Sequence, residues 1–239
     1  MHKALIALPL MALSACGAAN SESRNAGPDD TRSFTVSGFE SVSLQGSDNV
    51  RVLRGPTISV TATGPQAVLD LLNIRVENNT LKIDRKSGRT NWLRGDYRGA
   101  TITVTMPAIS AAAVAGSGDM TVDRADGPAF VAAVEGSGNL KVAAIAVKRA
   151  ALSAEGSGDL TISGTATDAT MAAEGSGNID ARGLVSQQAT IAVEGSGDIS
   201  ATVRQRATIA VEGSGNVDVT GTDNCTIVKE GSGDARCAR

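Results

Sequence analysis

Aromatic side chains are scarce in this sequence. Its 239 residues include one Trp, one Tyr and three Phe, so aromatics make up 2% of the chain. A globular core of the usual kind is hard to build with so few bulky side chains. The 27 glycines, together with many Ala, Val, Thr and Ser residues, instead favour short strands and tight turns that bury apolar area between neighbouring layers.

The sequence also has little histidine and no strong net charge. The only histidine is His2, and the formal net charge is -3. Catalysis by a histidine base is excluded, because His2 lies in a segment that we expect to be removed. The charge gives no reason to expect a nucleic-acid partner. The carboxylates recur with the repeat described below, whereas a catalytic pair should occur at one place, so a polysaccharide-active enzyme is the weaker alternative.

The first 15 residues have the pattern of a signal peptide. A positively charged start precedes an apolar stretch over residues 4–12, which is too short to span a bilayer. The following Leu13-Ser14-Ala15-Cys16 resembles the lipobox of bacterial lipoproteins, in which the cysteine is acylated, for example with palmitate. We therefore predict a lipoprotein signal peptide over residues 1–15, a lipid anchor on Cys16 and a flexible tether over residues 16–32. A secretory signal with an incidental cysteine is the alternative.

Two further cysteines lie near the end of the chain. Cys225 and Cys237 stand six residues before and six residues after Gly231, at positions that are mostly apolar in the other repeats. An even pair in an oxidising compartment predicts a disulfide. Closing a loop of this size contributes about 3 kcal/mol in the chain-entropy model. A metal site made from the two thiols is the alternative, although no histidine lies nearby.

A Gly-Ser-Gly unit followed by Asp or Asn occurs seven times. Its first residues are Gly116, Gly136, Gly156, Gly175, Gly195, Gly213 and Gly231. A spacing of 18 to 20 residues indicates stacked copies of one small unit. Apolar residues alternate with others on both sides of the unit, so we predict two short strands per repeat joined by Gly-Ser-Gly turns. No helical period follows the glycines, which argues against a phosphate-binding loop.

Two strands and two turns in each repeat make one coil of a β-solenoid. With motifs such as Gly116-Ser117-Gly118-Asp119 and an opening that reads Phe39-Glu40-Ser41-Val42, the sequence resembles the head GIN domain family of auto-transporter adhesins. The resemblance covers roughly residues 33–239. It implies an all-β, single-stranded right-handed β-helix with the Gly-Ser-Gly turns stacked along one edge. Residues 33–110 are expected to form entry coils, with a short helix over 65–72 and a hairpin over 74–83, and residues 111–239 the regular repeats.

Two rows of polar residues flank the turns. The residue after Gly-Ser-Gly alternates without exception: Asp119, Asn139, Asp159, Asn178, Asp198, Asn216 and Asp234. Stacked carboxylates would repel by about 1 kcal/mol in water, so asparagine dilutes the charge and permits amide hydrogen bonds; duplication of a two-coil unit is the other explanation. The residue before the turn is glutamate in six repeats: Glu135, Glu155, Glu174, Glu194, Glu212 and Glu230. This acidic ridge is either a solvated edge or a collector of Ca²⁺.

Small side chains form a second candidate surface. They stand five and three residues before the turns: Thr170, Thr190, Thr208, Ala172, Ala192 and Ala210. We predict a flat association face for a homo-oligomer or for a flat ligand. The alternative is that small residues are simply tolerated there.

A basic and aromatic segment separates the entry coils from the repeats. It contains the only Trp and the only Tyr, with nearby arginines, and its candidate ligand residues are Arg89, Trp92, Arg94, Tyr97 and Arg98. Such side chains suit sugar rings or an anionic envelope polymer. An ordinary long surface loop is the alternative.

Together these features predict a non-catalytic lipoprotein of the cell envelope that acts as an adhesin or a binding scaffold. Gly17 follows the predicted lipidated cysteine, and in lipoproteins a residue other than Asp at this place implies sorting to the outer membrane. The protein would face either the periplasm or the cell surface. No cofactor or obligatory metal is predicted. A structural envelope lipoprotein without a specific ligand is the alternative.

Overall fold

The protein is a β-solenoid of about six turns, seen in a computed structural model that describes residues 27–86 and 99–239. The elements in chain order are β1 Asp29–Phe34, β2 Ser41–Gly46, β3 Asn49–Arg54, β4 Ser59–Pro65, α1 Gln66–Leu69, β5 Leu72–Glu77, β6 Thr80–Arg85, β7 Thr101–Met106, β8 Ala111–Gly116, β9 Met120–Gly136, β10 Leu140–Gly156, β11 Leu160–Gly175, β12 Ile179–Gly195, β13 Ile199–Gly213, β14 Val217–Thr220, β15 Cys225–Gly231 and β16 Ala235–Ala238. The predicted all-β, β-helical class is confirmed.

Strands β9 to β13 each run through one whole coil. Each is 15 to 17 residues long and pairs in parallel with the coils before and after it. The prediction of two short strands per coil is therefore wrong here. The second turn is only a bend, where the register shifts after Val142, Thr161 and Ala181, and such irregularities turn a strand without ending its ladder. After these continuous strands, the chain divides again into β14 and β15.

The interior is a column of apolar side chains from successive coils. Two residues before each turn, Val134, Ala154, Ala173, Val193 and Val211 lie in register and are at most 1% exposed. Burial of one such valine contributes about 1.5 to 3 kcal/mol relative to an exposed one. Because every coil covers the next, a thin core suffices and few aromatic residues are needed.

The Gly-Ser-Gly turns stack directly upon one another. The carbonyl oxygen of Gly136 accepts hydrogen bonds from Ser157 N at 2.8 Å and Gly158 N at 2.9 Å, and the other turns repeat this pattern. Gly156 has a φ of +103°, which favours glycine. A Cβ on Gly158 would lie 2.0 Å from the carbonyl oxygen of Gly138. Both glycines are required because a side chain would clash with the neighbouring coil. The first glycine is also required because of its positive φ.

The N-terminal end is closed by antiparallel elements. β1 pairs with β4 and β4 with β7, while the predicted hairpin is β5 paired with β6. Asn78 and Asn79 form its turn with φ values of 49° and 62°, as expected for a two-residue hairpin loop. The predicted short helix is α1. The tether prediction extends too far, because β1 begins at Asp29 and its Arg32 forms an ion pair with Asp70 at 2.8 Å.

The C-terminal end is closed by side chains instead. The predicted disulfide between Cys225 and Cys237 is present, and the two residues are in register with the interior residues Ala207 and Val219. Lys229 takes the inward place of Val211, and its Nζ lies 3.1 Å from Asp234 Oδ1 and 3.2 Å from the Gly233 carbonyl oxygen. This hydrogen bond lowers the pKa of Asp234 below its usual value. A charged side chain at this place opposes edge-to-edge aggregation.

Candidate functional site

The strand segments that precede the Gly-Ser-Gly turns form a sheet with four outward columns of side chains. These side chains stand one, three, five and seven residues before each turn, and they share one face because alternate residues of a strand point the same way. In coil β12 these positions are Glu194, Ala192, Thr190 and Gln188, each in register with its equivalents in β11 and β13. The structure thus brings the predicted acidic residues and the predicted small residues onto one continuous surface.

The Thr/Ala face comprises the two middle columns. Thr170, Thr190 and Thr208 are exposed, Ala172 and Ala192 are half-buried, and Ala210 is exposed. Toward β9 the threonine column continues as Ala151 and Val131, and Val131 is 46% exposed. Two shallow cavities of about 210 and 260 Å³ lie along this column. The outward, flat arrangement that the sequence indicated is therefore present, whereas its occupant stays a prediction.

The Glu ridge borders one side of the Thr/Ala face. Its members are in register from β9 to β15: Glu135, Glu155, Glu174, Glu194, Glu212 and Glu230. Within the described ranges none of them forms an ion pair or a side-chain hydrogen bond. Like charges in directly opposite positions destabilise a sheet, by about 1 kcal/mol per adjacent pair before salt screening. Among residues 27–86 and 99–239, no group of three or more His, Cys, Asp or Glu is arranged to hold a metal ion.

A basic edge borders the opposite side of the Thr/Ala face. Arg149, Asp168, Gln188 and Arg206 are in register seven residues before the turns, and Lys148 and Arg204 are exposed beside them. In the part of the chain that the structure describes, the four cations have no ion-pair partner. Sequence reasoning missed this column, because alignment on the first glycine shows Asp168 and Gln188 between Arg149 and Arg206 and so gives no regular basic pattern.

The alternating Asp/Asn ladder is held by hydrogen bonds between coils. Asp159 Oδ1 accepts hydrogen bonds from Asn178 N at 3.1 Å and from Asn178 Nδ2 at 2.9 Å, and Asn178 Oδ1 accepts one from Asp198 N at 2.9 Å. The side-chain amides of Asn139, Asn178 and Asn216 each donate to the aspartate of the preceding coil, which an aspartate side chain could not do when ionised. The predicted amide hydrogen bonds are confirmed, and the ladder also contains Asn49, which accepts from Asp119 N.

Asp48 stands where the later turns have their second glycine. Gly46-Ser47-Asp48-Asn49 is an eighth turn, on which the Gly116 turn stacks. The buried carboxylate accepts hydrogen bonds from Arg85 Nε at 2.9 Å, Arg85 Nη2 at 2.6 Å and Ala100 N at 2.8 Å. The Asp48 hydrogen bond raises the pKa of Arg85. We call this arrangement the Asp48 clasp; the sequence signal was a Gly-Ser-Xaa-Asn variant of the turn motif.

Several predicted site residues lie outside the described residues. They are Cys16 with the signal peptide, and the candidate ligand residues Arg89, Trp92, Arg94, Tyr97 and Arg98. The described neighbours of the second group are informative, because Arg85 and Ala100 are both bound by the Asp48 clasp.

Comparison with known families agrees with this geometry. A family model described as "Putative auto-transporter adhesin, head GIN domain" matches residues 38–223. The chain belongs to this family. The head GIN match ends before Cys225, so the disulfide-closed end of this head GIN protein lies beyond the matched residues.

Solved structures share the head GIN fold. A putative adhesin from Bacteroides fragilis superposes with a TM-score of 0.81 at 22% identity, covering 89% of this chain and 97% of that one. A putative lipid binding protein from Parabacteroides distasonis gives 0.68 at 21% identity, with 89% and 97% covered. A comparison with curated proteins gave no match. Within the described residues, no helix is long and apolar enough to cross a membrane.

Proposed function

We propose that this head GIN protein is a non-catalytic adhesin or binding scaffold of the cell envelope, anchored through Cys16 and contacting an envelope glycan through the segment that contains Trp92. The family and the similar folds support an adhesive role. The solenoid supplies a rigid support, and the ligand chemistry comes from the aromatic and basic side chains of residues 89–98.

The observation that carries the proposal is the Asp48 clasp. One carboxylate binds the residue that ends β6 and the residue that precedes β7, so the described residues on both sides of the intervening segment are bound to the turn between β2 and β3. Burial of this carboxylate removes its hydration, which is unfavourable and is not needed to close an ordinary surface loop. Such a buried ion pair is expected where a binding segment must be presented at a defined place.

A lipid carrier function has less support. The similar lipid binding protein is named for such a role, but the interior here is filled by side chains such as Leu44, Ile83, Met120 and Leu160, all at most 1% exposed. A lipid chain would need space between the sheets. The cavities found along the Thr/Ala face are open surface grooves instead.

The lipid anchor is tested by the change Cys16→Ala. The full-length protein should be found in the membrane fraction and should incorporate a labelled palmitate analogue, because acylation of Cys16 is its proposed anchor. The variant should lose the label and appear in the soluble envelope fraction. A matched change, Ser14→Ala, keeps the cysteine and should keep both properties. Labelling of Cys16→Ala equal to that of the unchanged protein would reject the anchor.

Glycan contact is tested by the double change Trp92→Ala and Arg94→Ala. Retention of the full chain on purified envelope polysaccharide should fall about tenfold or more, since an aromatic and an arginine contact to a sugar are together worth over 1 kcal/mol. Arg182→Ala is the control, because the Arg182 side chain is 70% exposed and pairs with Asp180 of its own coil. Equal retention of the double variant and the control would remove the ligand role from this segment.

A further inference from the structure

We infer that two copies of the chain associate through the Thr/Ala face. They form a parallel dimer whose two-fold axis lies between the copies and is parallel to their solenoid axes. This inference goes beyond the proposed function and uses a different surface from the Trp92 segment. It rests on three observations: an unpaired acidic border, an unpaired basic border, and a flat strip of small side chains between them.

The charges on the two borders are complementary. The Glu ridge carries six carboxylates, while the basic edge carries Lys148, Arg149, Arg204 and Arg206 with one carboxylate, Asp168. Elsewhere most described arginines are paired, for example Arg54 with Asp126 and Arg236 with Asp218. Glutamates that repel one another along the whole stack gain a stabilising partner only if cations from another molecule approach the ridge.

The opposite charges of the two borders favour one relative orientation of the two copies. Rotation about an axis parallel to the solenoid places the two faces together and exchanges left and right, so each Glu ridge meets the basic edge of the other copy. Rotation about an axis across the solenoid places ridge on ridge and basic edge on basic edge. Only the parallel dimer joins opposite charges, and such an interface is closed and self-complementary.

The size of the face is compatible with a dimer. The seven strands β8 to β13 and β15 span about 29 Å at the usual strand separation, and six residue steps span about 20 Å. The flat area is therefore roughly 600 Å², slightly below the usual 800 Å² per partner for a stable complex. Thr and Ala side chains let two sheets approach to the usual packing distance of about 10 Å. Electrostatic attraction must contribute, so the dimer is expected to weaken with salt.

The first experiment measures mass. The full chain, purified in mild detergent, should show twice the protein mass of a monomer by light scattering at low salt, and a falling mass as salt is raised. Ala192→Lys with Ala210→Lys places two cations in the middle of the face and should halve the mass. Thr161→Lys with Ser200→Lys, on the outward side of the strands after the turns, is the matched control and should leave the mass unchanged. A monomer at about 100 µM, a concentration at which micromolar association is complete, would overturn the inference, as would a dimer that survives the Ala-to-Lys changes.

The second experiment measures orientation in β11, the central strand. Chains with Asp168→Cys are mixed with chains with Glu174→Cys and treated with a short thiol-reactive cross-linker, while Cys225 and Cys237 remain joined. The parallel dimer predicts cross-linked pairs in the mixture and few in either variant alone, because position 168 of one copy faces position 174 of the other. Cross-linking mainly within each separate variant would indicate the crossed orientation and contradict the inference. Failure here leaves the glycan test untouched, because Trp92 and Arg94 belong to neither border.

Discussion

Replacement of Gly158 by alanine is expected to destabilise the solenoid by about 3 kcal/mol. The added Cβ would stand 2.0 Å from the carbonyl oxygen of Gly138 and 2.7 Å from Val134 Cγ1, far inside ordinary contact. Neighbouring turns must separate, and the two hydrogen bonds that the Gly136 carbonyl accepts from Ser157 and Gly158 would lengthen. Urea unfolding followed by far-UV circular dichroism should show the loss as a lower midpoint.

The adjacent change Ser157→Ala is the matched control. Ser157 is exposed in the same turn, and its replacement should change the free energy of unfolding by less than about 0.5 kcal/mol. Since a solenoid is stabilised by contacts between neighbouring coils, the damage from Gly158→Ala should spread mainly to β10 and β11. Hydrogen exchange should accelerate there and not in β15. An alanine variant as stable as the Ser157→Ala chain would show that these turns separate at little cost.

The regular part of the fold follows from the sequence because each repeat is in nearly the same environment. Val134, Ala154 and Val193 occupy equivalent inward places, so alignment on the turn glycine shows the core directly. The Asp/Asn alternation was readable for the same reason. Short-range signals were also sufficient for the hairpin, where Asn78 and Asn79 accept positive φ values.

The continuous strands and the two charged borders of the Thr/Ala face were harder to predict from the sequence. A bend that keeps its ladder, as after Val142, depends on pairing with both neighbouring coils rather than on local residues. The basic edge is irregular in sequence, with Arg149, Asp168 and Gln188 at equivalent places. The basic edge is recognised only in the structure, where its residues and the Glu ridge lie on opposite borders of the same face.

The Asp48 clasp joins residues that are far apart in sequence and interrupts the repeat at its first turn. Asp48 precedes Arg85 by 37 residues and Ala100 by 52. No local pattern predicts that pairing. The departure from glycine at this single turn was nevertheless informative, since each of the seven later turns has glycine at the equivalent position.

Asp48→Ala is expected to lower stability by about 3 kcal/mol, the lower end for breaking a buried ion pair. The Asp48 side chain is 3% exposed and that of Arg85 22% exposed, so some of the freed guanidinium would reach water. The backbone N–H of Ala100, a fully buried residue, would lose its acceptor, which is costly in itself. Urea unfolding should show the loss, and hydrogen exchange at Ala100 should accelerate.

Two comparisons separate this effect from a general loss of charge. Asp70→Ala removes the carboxylate of the exposed Arg32 pair and should cost less than about 1 kcal/mol. A double-mutant cycle between Asp48→Ala and Arg85→Ala should give strong coupling, because the second change removes the cation that the first leaves unpaired. Asp48→Ala should also reduce glycan retention under conditions in which the protein stays folded, although Asp48 itself is buried. Retention equal to that of the unchanged chain would mean that the clasp serves stability alone and that the Trp92 segment does not depend on its fixed ends.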